Sequence, residues 1–191
     1  DLTIYIAHVD TSMNFLYRNG HFDELLYIQD GNGVIESNFG DLPYKEGDFI
    51  VLGGVTIPFN KALLAHSDGD VVIHSIIDAV LGAAAMGDIG IHFPDTNPRY
   101  KNVDSRILLR ETEKLIQPAY RVSNLDVIVI AEVPKLKSYT LEMRENVAGD
   151  LKIKVSDVSI KATTTEKMGY IGRGEGVAAE TVCLLRAVGA A

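Results

Sequence analysis

The chain contains few of the residues that would tie a protein together covalently or place it in a membrane. Its 191 residues include one cysteine, six prolines and no tryptophan. A single cysteine excludes an internal disulfide framework, and the apolar neighbours of Cys183 predict a small buried side chain rather than a reactive thiol. The longest apolar stretch, residues 79–86, is much shorter than the ~20 residues of a membrane-spanning helix. We therefore expect a globular protein that does not act in a membrane.

Basic residues are outnumbered by acidic ones. With 18 Lys and Arg against 26 Asp and Glu, the formal net charge is −8, which disfavours nucleic acid as a partner. An anionic substrate would therefore require a local group of cations or oriented donors. The composition, with 47% hydrophobic and 23% charged residues, is typical of a globular protein. We predict a single domain over residues 1–191, with an irregular N-terminal segment and an inserted loop within residues 1–48.

Hydrophobic periodicity from Phe49 onward predicts strands that alternate with three helices, after short strands joined by loops in the first 48 residues. Asp70 should cap the first helix, in which Gly82 suggests a close packing contact, and Asp104 or Ser105 should cap the second. The predicted helices cover residues 70–86, 105–117 and 138–151. The predicted strands cover residues 49–52, 55–58, 125–131, 158–163 and 177–188.

This order of elements predicts an α+β fold, in which a mixed sheet is covered on one face by three helices. Ile128, Ile130 and Ile160 belong to the predicted strands, which supply more apolar sheet surface than three helices can cover. We therefore expect copies of the chain to associate through their open sheet faces.

The densest polar cluster, residues 66–74, places two histidines, two aspartates and a serine at the start of the first helix. Asp70, His74 and Asp78 are spaced at i, i+4 and i+8, which predicts that they share one otherwise apolar helix face. An imidazole with a nearby carboxylate is typical of a zinc site, so His74 is a candidate ligand. A core histidine that bonds to Asp70 or Asp78 is the alternative.

Two further polar segments follow. Residues 87–96 form a glycine-punctuated loop with backbone donors and carboxylates, although a turn with capping aspartates has the same composition. Residues 161–167 bring three threonines and Glu166 to a strand end, and residues 169–176 place Arg173 among glycines. Hydroxyls, a guanidinium and an oxygen ligand for a divalent cation together suit a diphosphate. A threonine-rich edge strand followed by a flexible turn is the alternative.

The three segments, in this order, resemble the motifs of the 2-C-methyl-D-erythritol 2,4-cyclodiphosphate synthase family of the non-mevalonate isoprenoid pathway, over residues 49–188. The resemblance lies in residues 65–70, 87–90 with 93–96, and 161–167. It implies sheets packed around the threefold axis of a homotrimer, with active sites between subunits. It also implies a lyase that converts 4-diphosphocytidyl-2-C-methyl-D-erythritol 2-phosphate into the cyclic diphosphate and CMP.

The same resemblance implies roles for individual residues. It makes His74 and Asp23 ligands of zinc. It makes Glu166 a ligand of magnesium or manganese on the diphosphate, and a catalytic residue together with Asp70 and Thr165. The 131–137 segment would hold cytosine, largely through backbone groups. The residues implied in substrate binding are His66, Ser67, Asp88, Gly90, Phe93, Asp95, Ala131, Pro134, Lys135, Leu136, Lys137, Thr164, Tyr170 and Arg173.

The N-terminal segment departs from the family pattern. The family opens with Gly-x-Asp-x-His, which supplies two further zinc ligands, and this chain has no such sequence. Asp23 fits if one residue is deleted, with Leu25 in place of the histidine, and a match around Asp10 is the alternative. Loss of one of three protein ligands predicts weaker zinc binding, or the recruitment of His21 or His8.

Two other functions fit the same clusters. A metal-dependent nucleotide phosphohydrolase would use the same groups but release inorganic phosphate or a linear product. An inactive trimeric module that binds a nucleotide or an isoprenoid diphosphate would tolerate the missing Asp-x-His. The pathway suits a bacterial cytoplasm or the stroma of a plastid (apicoplast or chloroplast), and the irregular first 48 residues slightly favour a plastid enzyme.

Overall fold

The fold is seen in a computed structural model that describes residues 32–37, 40–45, 49–59, 67–100 and 103–189, with side chains from Phe49 onward. The strands within these ranges are β1 (Asn32–Ser37), β2 (Gly40–Lys45), β3 (Phe49–Leu52), β4 (Val55–Pro58), β5 (Tyr120–Ile130), β6 (Val158–Thr163) and β7 (Ala178–Ala187). The helices are α1 (Val71–Ala83), α2 (Ile89–His92), α3 (Ser105–Ile116), α4 (Thr140–Leu151) and α5 (Gly169–Gly172).

A mixed three-stranded sheet, in the order β6-β5-β7, lies at the centre of the fold. β5 is parallel to β6 and antiparallel to β7, so that Leu125 lies opposite Val158 on one side and Cys183 on the other. The parallel pair is connected through α4, as a crossover between parallel strands requires. β3 and β4 form a separate hairpin that turns at Gly53 and Gly54.

The three long helices lie on one face of this sheet. α1 packs on β7 and β5, α4 packs on β6, and α3 packs on both α1 and α4. α1 contributes the fully buried Ile73, Ile77 and Leu81 to the core, and β5 contributes Val127 and Val129. Burial of each such aliphatic side chain stabilises the fold by about 1.5–3 kcal/mol. The predicted α+β fold, with helices on one face of a mixed sheet, is therefore confirmed.

The carboxylate of Asp70 joins the start of α1 to the β3–β4 turn. Its Oδ1 accepts hydrogen bonds from the N–H groups of Val72 (3.1 Å) and Ile73 (3.0 Å), which have no partner within the helix. Oδ1 also accepts from Gly53 N–H (2.9 Å), and Oδ2 accepts from Gly54 N–H (2.7 Å). Burial raises the pKa of Asp70, and the bonds from Ile73, Gly54 and Gly53 oppose that rise. The predicted cap is confirmed, and it also fixes the hairpin.

Two local expectations are wrong. α1 ends at Ala83 rather than near Met86, because the N–H of Ala84 closes the last turn and Ala85 adopts a left-handed backbone with φ 58°. Gly82 is exposed, and a methyl group added there would meet no atom of the described residues within 4 Å. This glycine therefore does not mark a close packing contact.

The other elements predicted from Phe49 onward are present, although β5 begins at Tyr120 rather than Leu125. β1 and β2 agree with the short strands expected in the first 48 residues. The rest of the expected irregular segment, including Asp23, lies outside the described residues. Among the described helices, none combines the length and the apolar composition needed to cross a bilayer.

We predict that Asp70→Ala lowers the free energy of unfolding by about 2–4 kcal/mol, because it removes a helix cap and leaves the buried N–H of Gly53 without an acceptor. Asp104→Ala is the matched control. Asp104 is exposed and caps α3 through one bond, from Arg106 N–H at 2.8 Å, so its loss should cost about 1 kcal/mol or less. Urea denaturation measures both values, and equal losses would contradict the bridging role of Asp70.

Candidate active site

A pocket of about 320 Å³ opens beside the first turns of α1. Tyr100 and Leu108 contribute to its apolar wall. A mainly apolar pocket with a few polar groups is typical of a site for a small ligand. The pocket brings together five residues that the sequence predicts for the site, namely Ser67, His74, Gly90, Phe93 and Asp95.

A chain of hydrogen bonds fixes the imidazole of His74. Its Nε2 lies 2.9 Å from Ser105 Oγ and 3.2 Å from Ser67 Oγ. The buried Ser105 donates its hydroxyl hydrogen to Asp68 Oδ1 at 2.5 Å, and its backbone N–H donates to Asp68 Oδ2 at 3.0 Å. The N–H of Asp68 bonds in turn to the carbonyl of Val103 at 3.3 Å. Asp68 therefore clamps the start of α3 to the segment that precedes α1.

These hydrogen bonds also determine which nitrogen of His74 carries the proton. Because the single hydroxyl hydrogen of Ser105 is directed at Asp68, the Ser105 oxygen must accept from Nε2–H of His74. In the neutral imidazole the lone pair is then on Nδ1. That nitrogen is the donor that His74 can offer to a metal ion.

The predicted grouping of Asp70, His74 and Asp78 on one polar face is wrong. Asp70 precedes the helix as its N-cap, so its side chain turns back to backbone N–H groups and is fully buried. Asp78 is exposed and accepts from the N–H of Ile89 at 2.8 Å, where it holds α2 against α1. The carboxylate that acts on His74, through Ser105, belongs instead to Asp68. Asp70 therefore bonds to backbone N–H groups of α1 and of the β3–β4 turn, and it is not among the residues that line the pocket.

The predicted loop at residues 87–96 contains the short helix α2. Asp88 caps it by accepting from the N–H of Ile91 at 3.0 Å, so the capping alternative holds for this residue. His92 Nε2 donates to the carbonyl of Met86 at 2.9 Å. The ring of Phe93 packs edge-on against Tyr100, with centroids 5.6 Å apart. These contacts shape the wall of the pocket that faces His74.

A second group of predicted residues lies at the end of β6, in residues 163–168, which we call the strand-end turn. Thr164 Oγ1 donates to Glu166 Oε1 at 2.9 Å, and the Glu166 side chain is exposed. Glu166 and Lys167 both adopt left-handed backbone angles, with φ 52° and 63°. Such angles cost about 1–2 kcal/mol for each non-glycine residue, so neighbouring contacts must hold the turn.

Glu132 provides the main contacts that hold the strand-end turn. Its Oε1 accepts from the N–H groups of Thr165 and Lys167, both at 3.0 Å, and lies 3.3 Å from Thr165 Oγ1. The bond from Lys167, followed by those from Thr165, lowers the pKa of Glu132. The sequence motifs do not single out Glu132, although it lies between Ala131 and Pro134 of the predicted cytosine segment. The sequence feature that could have indicated this role is an acidic residue directly after the predicted strand at residues 125–131.

The 131–137 segment follows β5 directly. The N–H of Ala131 bonds to the carbonyl of Thr163 at 3.0 Å, which places the segment beside the strand-end turn. Leu136 is only 3% exposed and packs into the core, so its side chain cannot contact a ligand. Lys135 and Lys137 are exposed and bring positive charge. A ligand here would therefore meet backbone groups and two ammonium groups.

The other two predicted contacts lie on or next to α5. Tyr170 is 54% exposed, and the guanidinium of Arg173 forms two hydrogen bonds with Glu175, at 2.7 and 3.0 Å. A Cβ added at Gly172 would lie 2.1 Å from the carbonyl carbon of Lys167. Only glycine therefore allows α5 to approach the strand-end turn so closely.

Within one chain the predicted residues form two separate groups. The wall of the pocket contains no residue of the 131–137 segment or of the strand-end turn. His66 and Asp23 lie outside the described residues. Within the part of the chain that the structure describes, no three His, Cys, Asp or Glu side chains are close enough to hold a metal ion together. The described residues thus offer one imidazole in the pocket and one exposed carboxylate, of Glu166, at the turn.

The fold and these two groups define an α+β protein with an imidazole pocket at a helix start and a threonine- and glutamate-bearing turn at the end of a strand. A family model described as the YgbB family matches residues 39–186. The chain belongs to this family.

Relatives of known name are similar over most of their length. A 2-C-methyl-D-erythritol 2,4-cyclodiphosphate synthase of Proteus mirabilis is 57% identical over 156 residues, which are 81% of this chain and 94% of that protein. The protein of the same name from Methylococcus capsulatus is 57% identical over 143 residues, which are 74% of this chain and 90% of that protein.

Solved structures share the fold. IspF of Plasmodium falciparum in complex with CDP is 38% identical, with a TM-score of 0.65 over 73% of this chain and 85% of that chain. The bifunctional IspDF of Campylobacter jejuni is 40% identical, with a TM-score of 0.71 over 83% of this chain and 41% of that chain.

We predict that Gly172→Ala destabilises the strand-end turn, because the added methyl group collides with the backbone of Lys167. Overpacking of this kind costs about 1–3 kcal/mol, or a loss of about 2–12 °C in Tm. Hydrogen exchange in a peptide covering residues 163–173 should be faster than in the parent protein. Gly149→Ala is the control, because Gly149 is an exposed helical glycine with nothing within 4 Å of the added carbon. Unchanged exchange in the Gly172 variant would refute the predicted contact.

Proposed function

We propose that the protein is a phosphorus-oxygen lyase that converts 4-diphosphocytidyl-2-C-methyl-D-erythritol 2-phosphate into 2-C-methyl-D-erythritol 2,4-cyclodiphosphate and CMP. The observation that carries this proposal is the 57% identity to proteins named as the synthase of that product, over at least 90% of their length. The chemistry of the two polar groups supports it. They provide hydroxyls, ammonium groups, a carboxylate and an imidazole, which suit a phosphorylated nucleotide in a protein of net negative charge.

The nucleotide end of the substrate is assigned to the 131–137 segment and the strand-end turn. The cytosine ring would bind to backbone groups of the segment, and Lys135 and Lys137 add positive charge beside it. The hydroxyls of Thr164 and Thr165 would orient the diphosphate. The exposed carboxylate of Glu166 would hold a magnesium or manganese ion, which when bound neutralises charge on the phosphoryl oxygens. The complex of the Plasmodium falciparum protein with CDP supports this class of ligand.

The pocket is assigned to the methylerythritol end of the substrate and to the ribose. Phe93 and Asp95 would cover the methylerythritol 2-phosphate, and Ser67, with His66, would contact its phosphate. Asp88 and Gly90 would bind the ribose. His74, which carries its proton on Nε2, would offer Nδ1 to a zinc ion. Asp23 is the proposed second ligand of this zinc.

The reaction depends on position rather than on a nucleophile from the protein. An oxygen of the substrate's 2-phosphate attacks the β-phosphorus in line, while the bond from that phosphorus to the bridging oxygen breaks. CMP leaves with the electron pair of the broken bond, and no covalent enzyme intermediate forms. The residues of the pocket hold the attacking phosphate, and those of the strand-end turn hold the leaving group. Tyr170 and Arg173 are proposed as further contacts near the diphosphate.

A homotrimer would bring the two groups together, with the pocket of one chain facing the strand-end turn of the next. Two observations support this assembly. The groups are separate within one chain. In addition, β7 presents Val182 and Leu184, which are 73% and 61% exposed, on the sheet face opposite the helices. Apolar side chains on an open sheet face are typical of an interface between copies.

Neither alternative function is favoured by the relatives from Proteus mirabilis and Methylococcus capsulatus, both of which carry the synthase name. A phosphohydrolase would release inorganic phosphate or a linear product, and an inactive module would release no CMP. Because these named relatives are bacterial, we propose a bacterial cytoplasm as the site of action, with a plastid as the alternative.

We predict that CMP release requires Mg²⁺ or Mn²⁺, stops when EDTA is added, and falls by about 100-fold or more in His74→Ala and in Glu166→Ala. Each substitution removes a proposed metal ligand, whereas Glu145→Ala alters an exposed glutamate of α4 and should leave the rate unchanged. The assay follows CMP and the cyclic product by chromatography. Wild-type rates in both ligand variants would rule out the assigned metal roles.

We predict that Leu184→Lys dissociates the trimer, because it would bury a charge at the proposed interface. Light scattering at micromolar concentration should give about three times the chain mass of 20.8 kDa for the parent protein and a value near 20.8 kDa for the variant. Leu141→Lys is the matched control. Leu141 is also an exposed leucine, at 56%, but it belongs to α4 and not to the open sheet face. A monomeric parent protein would overturn the proposed assembly.

A further inference from the structure

A single carboxylate connects the two segments that would bind opposite ends of the nucleotide. Glu132 belongs to the 131–137 segment, and its Oε1 accepts from the N–H groups of Thr165 and Lys167 in the strand-end turn. We infer that Glu132 is a positioning residue, which sets the backbone of the turn and thereby the placement of Glu166. This inference rests on the proposed function and deepens it, because it links cytosine recognition to the diphosphate site.

The backbone of the turn explains why one oxygen suffices. The left-handed angles of Glu166 and Lys167 direct two N–H groups to a common point. Converging N–H groups of this kind form a concave site for an anion. In this chain the anion is the carboxylate of Glu132, so these N–H groups are not donors to the substrate. Besides the Thr165 hydroxyl, which also bonds to the carbonyl of Met168, the turn offers a diphosphate the Thr164 hydroxyl and, through a bound cation, the Glu166 carboxylate. These last two groups bond to each other at 2.9 Å.

The geometry also predicts which substitutions of Glu132 preserve its hydrogen bonds to the strand-end turn. All three contacts of Glu132 use Oε1, and their partners are two backbone N–H groups and one hydroxyl. The amide oxygen of glutamine can accept from the same groups. Alanine offers no acceptor, and aspartate is one methylene group shorter. The role therefore requires an acceptor at the correct reach, which glutamine supplies and alanine and aspartate do not.

Loss of the contacts between Glu132 and the strand-end turn should weaken the binding of CDP more than the binding of CMP. In the proposed site, CDP would extend from the 131–137 segment to the strand-end turn, whereas CMP lacks the β-phosphate that the turn would hold. Loss of Glu132 should therefore weaken Mg²⁺-dependent binding of CDP by about 10–100-fold, as the loss of partners that orient metal ligands does, and change CMP binding by less than about threefold. General destabilisation of the protein would weaken both ligands alike.

The test uses the full chain with Glu132→Ala, Glu132→Gln and Glu132→Asp, with Glu145→Ala as the control. NMR hydrogen exchange reports the N–H groups of Thr165 and Lys167, and calorimetry with Mg²⁺ reports binding of CDP and CMP. We expect the alanine and aspartate variants to exchange faster by about tenfold or more and to lose CDP affinity selectively. The glutamine variant should restore both exchange protection and CDP affinity.

Three results would overturn the inference: unchanged exchange in the alanine variant, equal losses for CDP and CMP, or a glutamine variant as impaired as alanine. If the alanine variant does not fold, the glutamine and aspartate variants provide the same test. The inference then requires that exchange protection and CDP affinity are retained with glutamine and lost with aspartate. Failure of the proposed function would be seen separately, because the parent protein would then make no CMP from the cytidine substrate. The hydrogen-exchange measurements would still test the contacts of Glu132 in that case.

Discussion

Four backbone N–H groups converge on the buried carboxylate of Asp70, and the geometry of the pocket depends on this junction. It fixes the residue at which α1 begins and holds that helix to the β3–β4 turn. His74 lies one turn further, with its N–H bonded to the carbonyl of Asp70 at 3.0 Å. The direction of the imidazole therefore follows from the helix start, and Ser105 then selects which nitrogen carries the proton.

Much of the fold could be predicted from the sequence, because the helices and strands after Phe49 carry strong periodicity and clear caps. The errors arose where local geometry departs from an ideal element. The i, i+4 spacing predicts that Asp70 shares a helix face with His74, but Asp70 precedes the helix as its N-cap. A glycine within the helical pattern predicts a packing contact at Gly82, but this residue lies on the exposed side of α1. Neither outcome is encoded in spacing alone.

The candidate site was only partly predictable for a different reason. Hydroxyl, carboxylate and imidazole groups can be recognised as residue types, whereas Ser105, Asp68 and Glu132 act on other residues of the protein. Their contacts join positions far apart in sequence, such as Glu132 and Lys167, and depend on how β5 and β6 align. A single sequence does not specify such pairings until the sheet register is known.

The clamp between Asp68 and the start of α3 holds one end of the segment that follows α1. Because the N–H of Asp68 bonds to the carbonyl of Val103, the segment between the end of α1 and Val103 is held at both ends, so it can change length or composition while His74 keeps its orientation. Lengthening a loop whose ends are already held has a small entropic cost, which grows only with the logarithm of its length. Variants with altered residues in this loop thus offer a route to new substrate preferences without redesign of the core.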